Sequence, residues 1–439
     1  MKFIPLNLKN MNNPSSNTST NSNRYSIFII GILFFIFGFV TWLNATLIPY
    51  LQISCELTAF ESYFVTFAFY ISYFVMAIPS SKVLEKTGFK NGMALGLVVM
   101  AIGALIFIPA AMTRTYYWFL LGLFIQGTGL ALLQTASNPY ITILGPIESA
   151  AKRISIMGVA NKFAGILSPI ILGAIVLKGI DEIKEKIQTM DATARAVELD
   201  ALSQKVIMPY LVMAVVLVLL ALMIKFSSLP DVDASQDEND EQTGDTRTSI
   251  FQYPYMWLGV ITLFLYVGAE VVAVDTLIAY GSSQGFALSE AKFFSSFTLA
   301  GMILGYFVGI IAIPKYLSQQ KALTYFAILG IIFSLSAILV DDPYMSVLSI
   351  AALGFANSIM WPAIWPLAID GLGKHIKIAS ALLIMGIAGG AIIPLIYGYL
   401  SDIDSVGSKL AYAILIPIYM FILFFAVKGN QIGKTVKNQ

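Results

Sequence analysis

Charge is what this sequence has least of. Only 12% of its 439 residues are Asp, Glu, Lys or Arg, against about 25% in soluble domains. It also has a single cysteine, Cys55, and a single histidine, His375. One thiol excludes an internal disulfide framework, and one imidazole argues against a histidine metal centre, so no metal site is expected. The formal net charge of +1 provides no field to attract nucleic acid. Phosphate loops, dinucleotide fingerprints and nucleophile motifs are missing, so neither an enzyme nor a nucleotide-driven pump is expected. What is abundant is apolar surface, 58% of the chain where soluble proteins have about 45–50%. At about 20 residues per span, that suffices for around twelve transmembrane helices in a lipid bilayer.

Residues 1–25 are rich in Asn, Ser and Thr and lack a small-residue cleavage site. They are expected to form a disordered cytoplasmic tail rather than a signal peptide. Apolar runs then fall at about 26–50, 61–81, 92–112, 116–145, 153–177, 207–227, 254–280, 291–313, 321–340, 344–370, 377–400 and 409–428. The positive-inside rule orients them. With the N-terminus inside, seventeen Lys and Arg residues fall on the cytoplasmic side and eight outside. Five of those eight (Lys178, Lys184, Lys186, Arg195 and Lys205) sit in the long 178–206 loop, where the rule is weak and an amphipathic surface helix is expected. Both termini are therefore expected in the cytoplasm, with the chain in the cell's inner membrane.

Residues 228–252 are polar and acidic, a solvated linker by composition. The linker separates bundles at 26–227 and 253–428, leaving a short tail at 429–439. The bundles echo one another. Ile156-Met157-Gly158-Val159-Ala160 in the fifth span recurs as Ile384-Met385-Gly386-Ile387-Ala388 in the eleventh, followed by Pro169 and Pro394 respectively. The expected fold class is thus an all-α membrane protein with twelve transmembrane helices in two pseudo-symmetric six-helix bundles. That is the architecture of major facilitator transporters, whose site lies between the bundles near the bilayer midplane.

Charge at bilayer depth is costly and marks function. Three charged residues lie well inside spans: Lys162, Glu270 and Asp275. Lys162 is about nine residues into the fifth span, roughly 14 Å deep. Glu270 and Asp275 are five residues apart in the seventh span, so both face one cavity only if the helix unwinds there. A Lys162–Glu270 or Lys162–Asp275 pair would bridge the two bundles, as a breakable lock, a cation facing an acidic substrate, or a purely structural pair. Intramembrane amides come next: Asn44, Gln134, Asn138, Asn161 and Asn357. Amides donate and accept hydrogen bonds, which suits a polyhydroxylated ligand, although each serves equally well as glue between helices. Trp361 and Trp365, one turn apart, offer an apolar floor for a sugar ring. Glu85 and Lys86, in a basic loop between the second and third spans, suit a breakable gating latch, though a basic loop also satisfies topology.

The stretches 43–49 (Leu-Asn-Ala-Thr-Leu-Ile-Pro), 134–146 (Gln-Thr-Ala-Ser-Asn-Pro-Tyr-Ile-Thr-Ile-Leu-Gly-Pro), 266–271 (Tyr-Val-Gly-Ala-Glu-Val) and 371–375 (Gly-Leu-Gly-Lys-His) resemble the fucose/glucose–galactose branch of the major facilitator superfamily. The similarity runs from about 26 to 428, and Glu270 in its context looks more like the glucose/galactose subgroup. The resemblance implies a secondary active transporter importing a hexose-type sugar, monomeric, with no cofactor beyond a co-transported proton or sodium ion. Taken with the amide pattern, it makes Asn44, Gln134, Asn138, Asn161, Asn357 and Trp361 the expected sugar-binding residues, with Lys162 as a partner of the carboxylates or an anion contact in the same site.

The chain departs from the pattern at four places. Ala45 stands where an acidic residue is usual, and Gln134 where fucose members carry a glutamate. Gly158 replaces a sugar-contacting glutamine, and Lys162 a small polar residue. Neither Ala45 nor Gln134 can hold a proton. Coupling therefore falls to Glu270 or Asp275, to another cation, or to no ion at all. Lys162 brings in a modified or acidic sugar as an alternative substrate, and export of amphipathic compounds is a further alternative.

Overall fold

The computed structural model describes residues 16–143, 150–227, 229, 249–313, 316–372 and 375–434, and the side chains of all of these except 16–26, 138–143, 150–155, 376, 377 and 380. Only helices and their connections occur among the described residues. Eleven helical runs are long and apolar enough to cross a membrane. One of them, Ala59–Thr113, has 55 residues, far more than the roughly 20 a bilayer needs. Gly88 divides it, in a conformation (φ 72°, ψ 170°) that only glycine adopts without strain. The run is therefore the second and third spans joined end to end, and the spans number twelve.

The first helix begins at Ser16, earlier than the tail expected through residue 25. The surface helix expected in 178–206 is two helices, Ile180–Lys186 and Ala192–Gln204. Asp191 starts the second, its carboxylate accepting from the Thr193 and Ala194 amides at 2.9 Å. Most of the expected linker, 230–248, lies outside the described residues.

The spans differ in how much protein surrounds them. Two-thirds of the most apolar stretch is buried in the seventh span and in the tenth (67% each), but only 33% in the sixth. On the sixth span Met208, Val212, Val215, Leu219 and Leu222 are exposed at helical spacing, a face suited to lipid. Helices approach most closely where a side chain is missing. A Cβ on Gly38 would lie 1.8 Å from the Asn161 carbonyl oxygen, and one on Gly389 1.7 Å from that of Phe264. These contacts join the first span to the fifth and the seventh to the eleventh, which are equivalent pairs in the two bundles.

The duplication extends to backbone detail. A shift of 229 residues carries the short helix Ala59–Ser62 onto Leu288–Ala291, and the left-handed turn residue Glu56 onto Gly285. Gly179, in the connection after the fifth span, and Gly407, at the end of the connection after the eleventh, also both have positive φ. Across the interface between bundles, the second span packs on the eleventh and the fifth on the eighth, with the first meeting the seventh.

Candidate functional site

Two spans break, the first and its counterpart the seventh, about one turn apart in register, and polar groups gather near the breaks. The first span stops at Thr41 and resumes as Asn44–Ser54. The seventh runs Pro254–Asp275 and resumes as Leu277–Ser283. Side chains of the eighth span bond carbonyls near the second break: Ser295 Oγ donates to Val274 O at 2.6 Å and Thr298 Oγ1 to Ala273 O at 3.3 Å. Backbone groups freed by unwinding need such partners where no water reaches.

Between the breaks lies the pair that the buried charges predicted. Lys162 Nζ donates to Glu270 Oε1 at 2.6 Å, joining the fifth span of one bundle to the seventh of the other. Each residue is 7% exposed. The ammonium also sits 4.3 Å above the Trp42 ring, at the first-span break, where a cation–π contact is worth most when desolvated. Tyr266, Tyr306 and Tyr419 lie within electrostatic reach of Glu270.

Asp275 is fully buried, and among the described residues neither carboxylate oxygen has a hydrogen-bond partner. It is close enough to both Glu270 and Lys162 for their charges to interact. Both acids lie in the unbroken helix Pro254–Asp275, so, against the expectation, no unwinding between them is needed for both to come within reach of the single lysine, and Lys162 bonds only one. Tyr70, from the second span, lies near both acids and its hydroxyl is likewise unbonded. Asn44 is 1% exposed with both amide atoms unpaired.

The other amides are partly committed. Asn161 Nδ2 donates to the Phe34 carbonyl at 3.3 Å. Asn357 Oδ1 accepts from the Tyr419 hydroxyl at 2.9 Å, leaving its Nδ2 without a partner. Gln134 lines a cavity of about 40 Å³ between the bundles, with Tyr73, Thr135, Trp361, Trp365 and Ile384. Such a cavity holds a few waters rather than a sugar. Trp361 stacks on Trp365 with centroids 5.5 Å apart. A Cβ at Gly158, one turn before Lys162, would meet nothing within 4 Å. The Asn138 side chain lies outside the described residues.

The expected gating latch is not formed by its expected members. Glu85 and Lys86 are both exposed and make no ion pair among the described residues. The neighbouring Lys90 instead donates to the Ser227 carbonyl at 2.7 Å. Trp42 was not singled out by the sequence, whereas Tyr70, with Phe69 and Tyr73, is there a candidate for the cavity lining with aromatic packing as the commoner role. Trp42 stands two residues before Asn44, but nothing in the sequence sets it over a lysine 120 positions later.

Comparison with known proteins gives this geometry a context. Residues 30–393 match the Major Facilitator Superfamily. The chain is 34% identical over 425 residues to a glucose/galactose transporter of Brucella abortus biovar 1, covering 96% of this chain and 98% of that one. It is 28% identical to the L-fucose-proton symporter of Escherichia coli K12, covering 90% of each. The crystal structure of the transporter FucP in the outward conformation superposes with a TM-score of 0.70 at 26% identity, over 94% of this chain and all of that one. A D-xylose-proton symporter, at 15% identity and a TM-score of 0.67, shares the fold.

Proposed function

The chain belongs to the Major Facilitator Superfamily, a multi-pass membrane transporter rather than an enzyme, and from that premise we propose that it imports a hexose-type sugar by alternating access, driven by a proton. Both termini lie in the cytoplasm, the membrane is the cell's inner one, and the working unit is a monomer. The observation that carries this reading is the Lys162–Glu270 pair across the two bundles beside the unpaired carboxylate of Asp275. A pair joining two rocking bodies can be made in one state and broken in another. A carboxyl group with both oxygens free of partners can take a proton from one side and release it to the other.

In this reading Asn44, Gln134, Asn138, Asn161 and Asn357 bond sugar hydroxyls when the cavity widens, with Trp361 under the ring. Glu270 and Asp275 handle the proton, and no cofactor is needed beyond that ion. The names of the glucose/galactose and L-fucose-proton relatives agree with the substrate class. The space beside Gly158, one turn from Lys162, favours one second reading, a hexose enlarged or acidified by a substituent.

Uptake of radiolabelled glucose and galactose into proteoliposomes tests the proposal. An inward proton gradient should drive accumulation. Asp275→Asn should cut accumulation by at least about tenfold while leaving sugar exchange, since exchange needs no net proton movement. Accumulation driven by sodium alone replaces the proton with sodium. If no hexose, amino sugar or sugar acid accumulates or exchanges, the reading fails.

A further inference from the structure

With the termini in the cytoplasm, the opposite face of the molecule is the outer one, and it carries two carboxylates that the transport reading does not use. Asp402 follows the eleventh span. Its Oδ1 accepts from the Ala59 amide at 3.0 Å and its Oδ2 from the Phe60 amide at 2.8 Å. Asp181 follows the fifth span. Its Oδ1 accepts from the Leu288 amide at 2.9 Å and its Oδ2 from the Ser289 amide at 3.3 Å. Each carboxylate thus grips two successive main-chain amides, one per oxygen, and each belongs to the opposite bundle from the amides it holds.

The contacts are reciprocal. The amides are the first two of Ala59–Ser62 and of Leu288–Ala291, the short helices related by the duplication. The carboxylates lie in the equivalent connections after the fifth and eleventh spans. A chamber of about 400 Å³ lies between the two grips, with Gln52, Tyr63 and Lys184 from one bundle and Tyr280, Ser283 and Ser408 from the other.

We propose that Asp181 and Asp402 are a symmetric pair of outer latches that hold the transporter closed to the outside and must both release for its outer mouth to open. The chemistry suits a latch. Main-chain amides at the start of a helix have no partner within it, so the hydrogen bonds made here are lost to water, not to another protein group, when the bundles part. Bonds to a charged acceptor are stronger than neutral ones, yet these are solvent-accessible enough to exchange for water at low cost. Main-chain donors are fixed in position, so the contact is made only in one relative placement of the bundles. Aromatic contacts accompany the Asp402 latch: Tyr63 meets Tyr397 edge-to-face at 5.5 Å and Phe60 meets Tyr399 at 6.2 Å. The side on which the latches act rests on the proposed orientation, whereas their existence does not depend on the cargo.

Distance measurement by pulsed electron paramagnetic resonance tests the latches without any substrate. Spin labels go on Thr113→Cys and Asp341→Cys, exposed positions on the outer face of opposite bundles, in a Cys55→Ser background. The unmodified latches should give a population at short distance. Asp181→Ala with Asp402→Ala should raise the ratio of long- to short-distance populations about tenfold, and the Asn pair should raise it less, in the same direction. Asp404→Ala, two residues from the latch, should leave the ratio as it was. An unchanged ratio in the folded double-alanine protein overturns the proposal. Should that protein not fold, an unchanged ratio in the double-asparagine protein does so. A shifted ratio in a protein that moves no sugar keeps the latches and removes the transport reading.

Discussion

Lys162 and Glu270 each depend on the other for the right to be where they are. A buried pair gains little over an apolar substitute, but removing one partner strands a charge at a cost of about 3–5 kcal/mol. Lys162→Ala should therefore lower thermal stability in detergent by an amount of that order, and adding Glu270→Gln should restore a large part of it. Equal losses from the single and double variants would mean that the pair is not coupled. The same Lys162→Ala protein should show an altered pH dependence of uptake, because Asp275 loses the nearest cation; an unchanged profile removes Lys162 from the coupling scheme. That these three residues matter was legible in the sequence, since they alone carry charge deep in apolar spans. Which acid the lysine would choose was not legible, because it depends on where the fifth span of one bundle meets the seventh of the other.

Elements in this protein are interrupted rather than continuous, and the interruptions have local causes. Gly88 lets the second and third spans reverse direction without a loop. Its φ of 72° with ψ of 170° lies in a region reserved for glycine, where another residue costs about 1–3 kcal/mol. Gly88→Ala should lower the melting temperature accordingly, while an alanine at Gly179, in the milder left-handed region (φ 72°, ψ 10°), should cost less. Melting curves for the two variants decide the order. Span number and position followed from apolar runs of about 20 residues, a length the bilayer imposes. The break in the first span was not visible in those runs, since Trp42 and Leu43 are as apolar as their neighbours, whereas that in the seventh falls at Thr276, beside the charge of Asp275.

For the whole molecule, the described inter-bundle bonds run from mid-depth to the face that carries Asp181 and Asp402: Lys162 to Glu270, Ser296 Oγ to the Ile166 carbonyl at 2.9 Å, and the two aspartate contacts. Closing that face brings the eleventh span against the start of the second. There a Cβ on Gly398 would lie 2.3 Å from Tyr63 Cδ2 and 3.1 Å from Phe60 Cα. Gly398→Ala should therefore act as a wedge, raising the long-distance population between labels on Thr113→Cys and Asp341→Cys, with both latches chemically intact. A closed distribution in this variant would mean that the two bundles do not need this approach to shut.

The sequence by itself determined that the chain lives in a bilayer, that it has two related bundles and that three charges lie inside it. Each follows from composition, periodicity or the cost of desolvation, which act on neighbouring residues along the chain. Only the tertiary structure decided that Lys162 bonds Glu270 and leaves Asp275 alone. It also decided that Asn161 and Asn357 are partly spent on helix contacts, that Glu85 and Lys86 stay apart, and that two loop aspartates join the bundles. The bonds among these join groups 62 to 343 positions apart, whose meeting is set by helix breaks and close glycine contacts that no local pattern encodes.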